Sequence, residues 1–89
     1  MQTVLVVEDS KLLRTNSERI LKKAGYLVVT AVDGMEALTV TRESRPDLIL
    51  LDMMLPKLDG PSVLQALKAD PTTAQIPVVV VTGLAAPVR

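Results

Sequence analysis

The chain has no cysteine, no histidine, no tryptophan and no phenylalanine, and Tyr26 is its only aromatic residue. Without Cys there are no disulfides and no thiolate metal ligands; without His there is no imidazole base and no zinc site of the usual kind. One aromatic cannot form a base-stacking platform, and ten Lys plus Arg against ten Asp plus Glu leave no net positive field for a phosphate backbone. The chain is therefore expected to bind no nucleic acid by itself. No apolar run approaches the ~20 residues of a membrane span, and Met1-Gln2-Thr3 does not open a signal peptide, so the expectation is a soluble, cytoplasmic protein without membrane contact. Any chemistry must run on carboxylates, hydroxyls, amines, backbone groups or a hard cation.

What remains is 89 residues, 48% of them hydrophobic, arranged in short β-branched runs. Val4 to Val7 ends in Glu8-Asp9, Leu27 to Val32 ends in Asp33-Gly34, Leu48 to Leu51 ends in Asp52, and Ile76 to Val81 ends in Thr82-Gly83. Unbroken apolarity over four to six residues marks strands covered on both faces, as in parallel sheets.

Between the runs the period becomes helical. Ser10 can cap a first helix with Leu13, Ser17, Ile20, Leu21 and Ala24 on one stripe, closed by a left-handed Gly25. A second helix, Met35 to Ser44, places Met35, Leu38 and Thr41 or Arg42 at helical spacing and stops at Arg45-Pro46. Pro61 suits the first turn of a third, with Val63, Leu64 and Leu67 facing inward and Asp70-Pro71 as its end.

The order βαβαβαβ predicts a doubly wound α/β domain with a parallel sheet. Glu8, Asp9, Asp52 and Thr82 then lie at the C-terminal ends of strands, the edge at which such sheets bind ligands. Clustered carboxylates repel one another, and a divalent cation relieves the repulsion. With only oxygen donors available, Mg²⁺ fits best and Mn²⁺ is the other candidate.

Val4-Leu5-Val6-Val7-Glu8-Asp9-Ser10, then Asp47 to Pro56 with Asp59-Gly60, then Pro77 to Gly83 together resemble the receiver domain of bacterial two-component response regulators. The resemblance covers essentially the whole chain as one domain, residues 1–89. It implies a flavodoxin-like, CheY-like fold in an incomplete (βα)3β form, with strand order 2-1-3-4. It also implies that Asp52 is the phospho-acceptor and that Glu8, Asp9, Asp52 and the Met54 backbone carbonyl hold Mg²⁺. Thr82 is then the switch hydroxyl, and a histidine kinase or phosphotransfer protein is the phosphodonor. A receiver of this kind assists its own phosphorylation and is not a turnover enzyme.

The chain departs from the family pattern after Thr82. The family continues with a helix, a strand ending in a lysine, and another helix; no lysine here takes that place, since Lys57 falls in a different element. Val78 to Val81 is then expected to be an edge strand and the first helix to lack a neighbour, so a homo-oligomer is expected through the fourth-strand edge or the uncovered face of helix one. Leu84 to Arg89 resembles the start of a further helix cut short. The rival reading is a truncated receiver-like scaffold or oligomerisation fragment that accepts no phosphate. Two other classes fit poorly. Aspartyl phosphatases of haloacid-dehalogenase type need an Asp where Met54 stands, and dinucleotide binding needs glycines where Glu8-Asp9-Ser10-Lys11 stands.

Overall fold

The computed structural model describes residues 2–53, 55 and 58–81. In chain order it forms β1 (Thr3–Val7), α1 (Lys11–Lys23), β2 (Leu27–Ala31), α2 (Gly34–Ser44), β3 (Leu48–Asp52), α3 (Gly60–Ala69) and β4 (Val78–Val81). The strands make one sheet in the order β2-β1-β3-β4, every pair parallel. This is the doubly wound architecture and the 2-1-3-4 order expected above.

Side chains alternate across a strand, so odd and even positions meet different helices. Leu5, Val7, Ala31, Ile49 and Leu51 join Ala37 of α2 with Val63 and Leu67 of α3 in one buried cluster. The even positions Val4 and Val6 are buried on the other face, where α1 lies over β1 and β2. Burial on both faces is why the central strands read as continuous apolar runs.

Each helix begins at a side-chain cap. The Leu13 amide donates to Ser10 Oγ at 3.3 Å, the Glu36 amide to Asp33 Oδ1 at 2.8 Å, and the Ser62 amide to Asp59 Oδ1 at 2.8 Å. These bonds satisfy amides that have no partner within the first helical turn. The end of α1 is equally local. Gly25, at φ 100°, lets its own amide donate to Lys22 O and the Tyr26 amide to Leu21 O, at 3.0 and 3.1 Å.

Two helical details differ from the sequence pattern. Ile20 is 59% exposed and α1 has no fully buried residue; the face turned to the sheet carries the half-buried Leu13, Ser17 and Leu21. In α2 the buried stripe is Gly34, Ala37 and Thr41, while Met35 and Arg42 face solvent. Arg45 before Pro46 leaves the helical region as expected, but into the left-handed conformation at φ 46° and ψ 65°.

Candidate functional site

β1 and β3 are neighbours, so the residues that end them are brought side by side. Val7 pairs with Leu51, Glu8 follows Val7, and Asp52 is the last residue of β3, paired with Val81. The sheet ladder runs past β1: the Glu8 amide donates to the Ala31 carbonyl at 3.0 Å. The Met53 amide likewise donates to Val81 O at 3.3 Å. Both acids are thus held by backbone, not by a free loop.

Ligand oxygens of Glu8, Asp9 and Asp52 all lie within 4.8 Å of one another. These three positions span 45 residues of sequence, and strand order alone unites them. Glu8 is buried, Asp52 half-buried and Asp9 exposed. Two unit charges at that separation repel by roughly 3 kcal/mol at an effective dielectric near 20. The Glu8 carboxyl shows the strain: burial pushes its pKa up, and the Asp52 charge pushes it further, while the Ser10 amide, donating to Glu8 Oε2 at 3.1 Å, pulls the other way. Protonation relieves this repulsion by neutralising an acid; a divalent cation relieves it while leaving all the oxygens as ligands.

The donor set fits a hard cation. Oxygens in adjacent and opposite places around octahedral Mg²⁺ lie roughly 2.9 to 4.2 Å apart, given bonds of about 2.1 Å. Oxygens that all lie within 4.8 Å of one another are close to that spacing. A cleft of about 30 Å³ runs beneath it, lined by Val6, Val7, Glu8, Ser17, Leu50, Asp52 and Val81. That space suffices for a water or a small polar group next to the acids.

Beyond Asp52 the chain turns back toward α3. The Gly60 amide donates to Met53 O at 3.3 Å, and a Cβ on Gly60 would stand 2.5 Å from Met53 Cα, so glycine permits this close return. The Met54 carbonyl, Thr82 and Lys57 lie outside the described residues.

Two residues at the site carry no mark in the sequence pattern. Ser17 reads as one polar member of an apolar stripe, yet it lines the cleft below the acids. Arg14 reads as a solvated charge, yet its Nη1 donates to Glu8 O at 2.9 Å and to Asp9 O at 3.3 Å. The available signal is positional: long side chains on a helix lean toward its N-terminus, and Arg14 sits one turn after the acids.

The fold occurs in known proteins. The response regulator receiver domain family matches residues 4–88. A probable transcriptional regulator, ycf27 of Guillardia theta, is 41% identical over 83 residues, 93% of this chain and 32% of its own length. The chain spans between 11% and 35% of the length of three such curated regulators. The N-terminal domain of a response regulator receiver protein from Methanoculleus marisnigri JR1 superposes with a TM-score of 0.90 at 38% identity, over 100% of this chain and 71% of that one. The receiver domain of sensor histidine kinase PA1611 from Pseudomonas aeruginosa PAO1, whose structure has a magnesium ion coordinated in the active site cleft, gives 0.88 at 34% identity, over 96% and 70%. With the fold and the strand order in agreement and the family matching residues 4–88 of the 89, the chain belongs to the response regulator receiver domain family.

Proposed function

We propose that the chain is a phospho-accepting module of two-component signalling, with Asp52 as acceptor and Glu8, Asp9 and Asp52 holding Mg²⁺ or Mn²⁺. The observation that carries this reading is the convergence of three carboxylates within 4.8 Å at the C-terminal edge of adjacent central strands. A bound divalent ion supplies positive charge that offsets both the acids and an incoming phosphoryl group.

The chain's own residues do the rest. An Asp52 carboxylate oxygen attacks phosphorus, a new P–O bond forms, the P–N bond of a phosphohistidine donor breaks, and its electron pair returns to the imidazole nitrogen. The backbone bonds at Glu8 and Met53 hold the strand ends that carry the acids, so the protein mainly positions. Thr82 is the proposed switch hydroxyl and the Met54 carbonyl a further cation ligand. The proposed phosphodonor is a histidine kinase or phosphotransfer protein, the whole chain acting as a single module that is modified and not a turnover enzyme.

Incubation with acetyl phosphate and Mg²⁺ tests the proposal. The expected result is a mass gain of one phosphate that disappears in Asp52→Asn and with EDTA. No gain in the wild-type chain favours the scaffold reading instead. Self-association is a separate part of the proposal, supported by Val79 and Val80, 47% and 41% exposed on the outer strand β4, and by the exposed Leu12 and Ile20 of α1. Sedimentation at micromolar concentration decides it, a single monomeric species counting against it.

A further inference from the structure

The fourth residue of α1 reaches back across the start of its own helix. Arg14 Nη1 donates to the carbonyl oxygens of Glu8 and Asp9 at 2.9 and 3.3 Å, and the Arg14 amide donates to the Ser10 carbonyl at 2.9 Å. Carbonyls of three consecutive residues therefore end on one side chain and its backbone. The first two belong to the peptide planes on either side of Asp9. A peptide unit is planar, so pinning both planes fixes the direction in which Asp9 Cβ leaves the chain. Asp9 itself is exposed, so little packing holds it.

Helix stability alone does not explain this placement. A cation leaning over a helix N-terminus opposes the macrodipole, and Ser10 already caps the helix. Nor does the guanidinium serve as a simple counter-charge, because the oxygens it meets are carbonyls and not the carboxylates. Both contacts come from one nitrogen, Nη1, which bridges successive peptide groups from the end of a rigid, planar guanidinium; an ammonium on a flexible stem has no such fixed direction.

We infer that Arg14 is a positioning residue, whose guanidinium clamps the β1–α1 turn in the shape that lets the Glu8 and Asp9 carboxylates converge with Asp52 on a divalent cation. The inference rests on the cation reading proposed above, but the clamp itself is a property of the metal-free chain. It predicts that geometry, and not charge, is what Arg14 supplies.

Arg14→Lys and Arg14→Gln in the full chain separate these contributions. Mg²⁺ titration followed by amide chemical shifts is expected to show both variants binding roughly tenfold or more weakly, as for other residues that orient metal ligands. Amide hydrogen exchange in EDTA is expected to be faster by a similar factor at Ser10, whose N–H donates to Glu8 Oε2. Wild-type Mg²⁺ affinity in the Lys variant, or tighter binding in the Gln variant, would assign a charge effect and overturn the clamp. A lowered Tm with unchanged affinity and unchanged Ser10 exchange would reduce Arg14 to a structural residue. If the wild type takes up no Mg²⁺, the cation reading fails, and the exchange rates still judge the clamp: faster exchange in both variants upholds it, equal rates reject it.

Discussion

Gly34, the first residue of α2, packs against the backbone carbonyl of Leu58 so closely that a Cβ at position 34 would overlap that oxygen and the Leu58 Cβ. The contact joins the start of α2 to the turn that follows Asp52. Gly34→Ala is expected to cost about 1 to 3 kcal/mol, the usual range for overpacking a tight contact. A fall in Tm of several degrees per kcal/mol is the corresponding observation for a domain of this size. Gly25→Ala serves as the comparison, because nothing lies within 4 Å of its added Cβ and only the left-handed backbone at φ 100° opposes it. A Gly34→Ala protein as stable as wild type would mean that the loop yields freely.

Glu8→Gln is expected to raise the Tm of the metal-free protein at neutral pH. Burial and the Asp52 charge hold the Glu8 pKa above its ordinary value. A raised acid contributes stability that is present below the unfolded-state pKa and lost as pH rises through the folded-state value. The charged form at neutral pH therefore weakens the fold, and the amide removes that charge. The same variant is expected to lose Mg²⁺ affinity, so stability and cation binding move in opposite directions. A lower Tm in EDTA would show that the carboxylate is not under strain.

Asp59 and Asp70 behave in the reverse sense. Backbone amides of Ser62 and Thr72 hold their pKa values below the ordinary carboxylate value. Their stabilisation is present at neutral pH and is lost as pH falls through those depressed values. Thermal melts from neutral to acid pH are expected to fall less steeply in Asp59→Asn with Asp70→Asn than in wild type, since Asn keeps the acceptor for the α3 cap at position 59 and for the Thr72 turn at position 70 without titrating. Equal slopes would assign acid sensitivity to other carboxyls.

Ile49→Ala is expected to cost about 2 to 5 kcal/mol, because its side chain is fully buried between helices and central strands. Ile20→Ala, at a site 59% exposed, is expected to change stability by less than about 0.5 kcal/mol. Urea unfolding of the pair gives both values, and similar costs would contradict the exposure of Ile20.

The contrast between those isoleucines shows what the sequence made legible. Ile49 lies in an apolar run ended by an acid, a local pattern that identifies both a buried strand and the residue at its rim. Ile20 fits a helical stripe as well as Leu21 does, and periodicity cannot say how much sheet lies beneath the helix. The acids at positions 8, 9 and 52 were visible as strand ends, but their meeting depends on β1 lying beside β3, and no local pattern encodes that neighbourhood; the resemblance to receiver domains supplied the order. Arg14 and the Gly34–Leu58 contact were invisible for the same reason. Each acts through partners that only the folded chain brings near, and an arginine in a first helical turn looks like any solvated charge.

All three acids stand at the ends of the two innermost strands, Glu8 and Asp9 in the turn after β1 and Asp52 as the last residue of β3, and none comes from β2, α2, α3 or β4. That division separates chemistry from identity. The periphery can drift in shape and charge, and so in what it docks against, while the inner pair goes on presenting the same reactive edge. A lineage built on such a plan can multiply its conversations without reinventing its vocabulary.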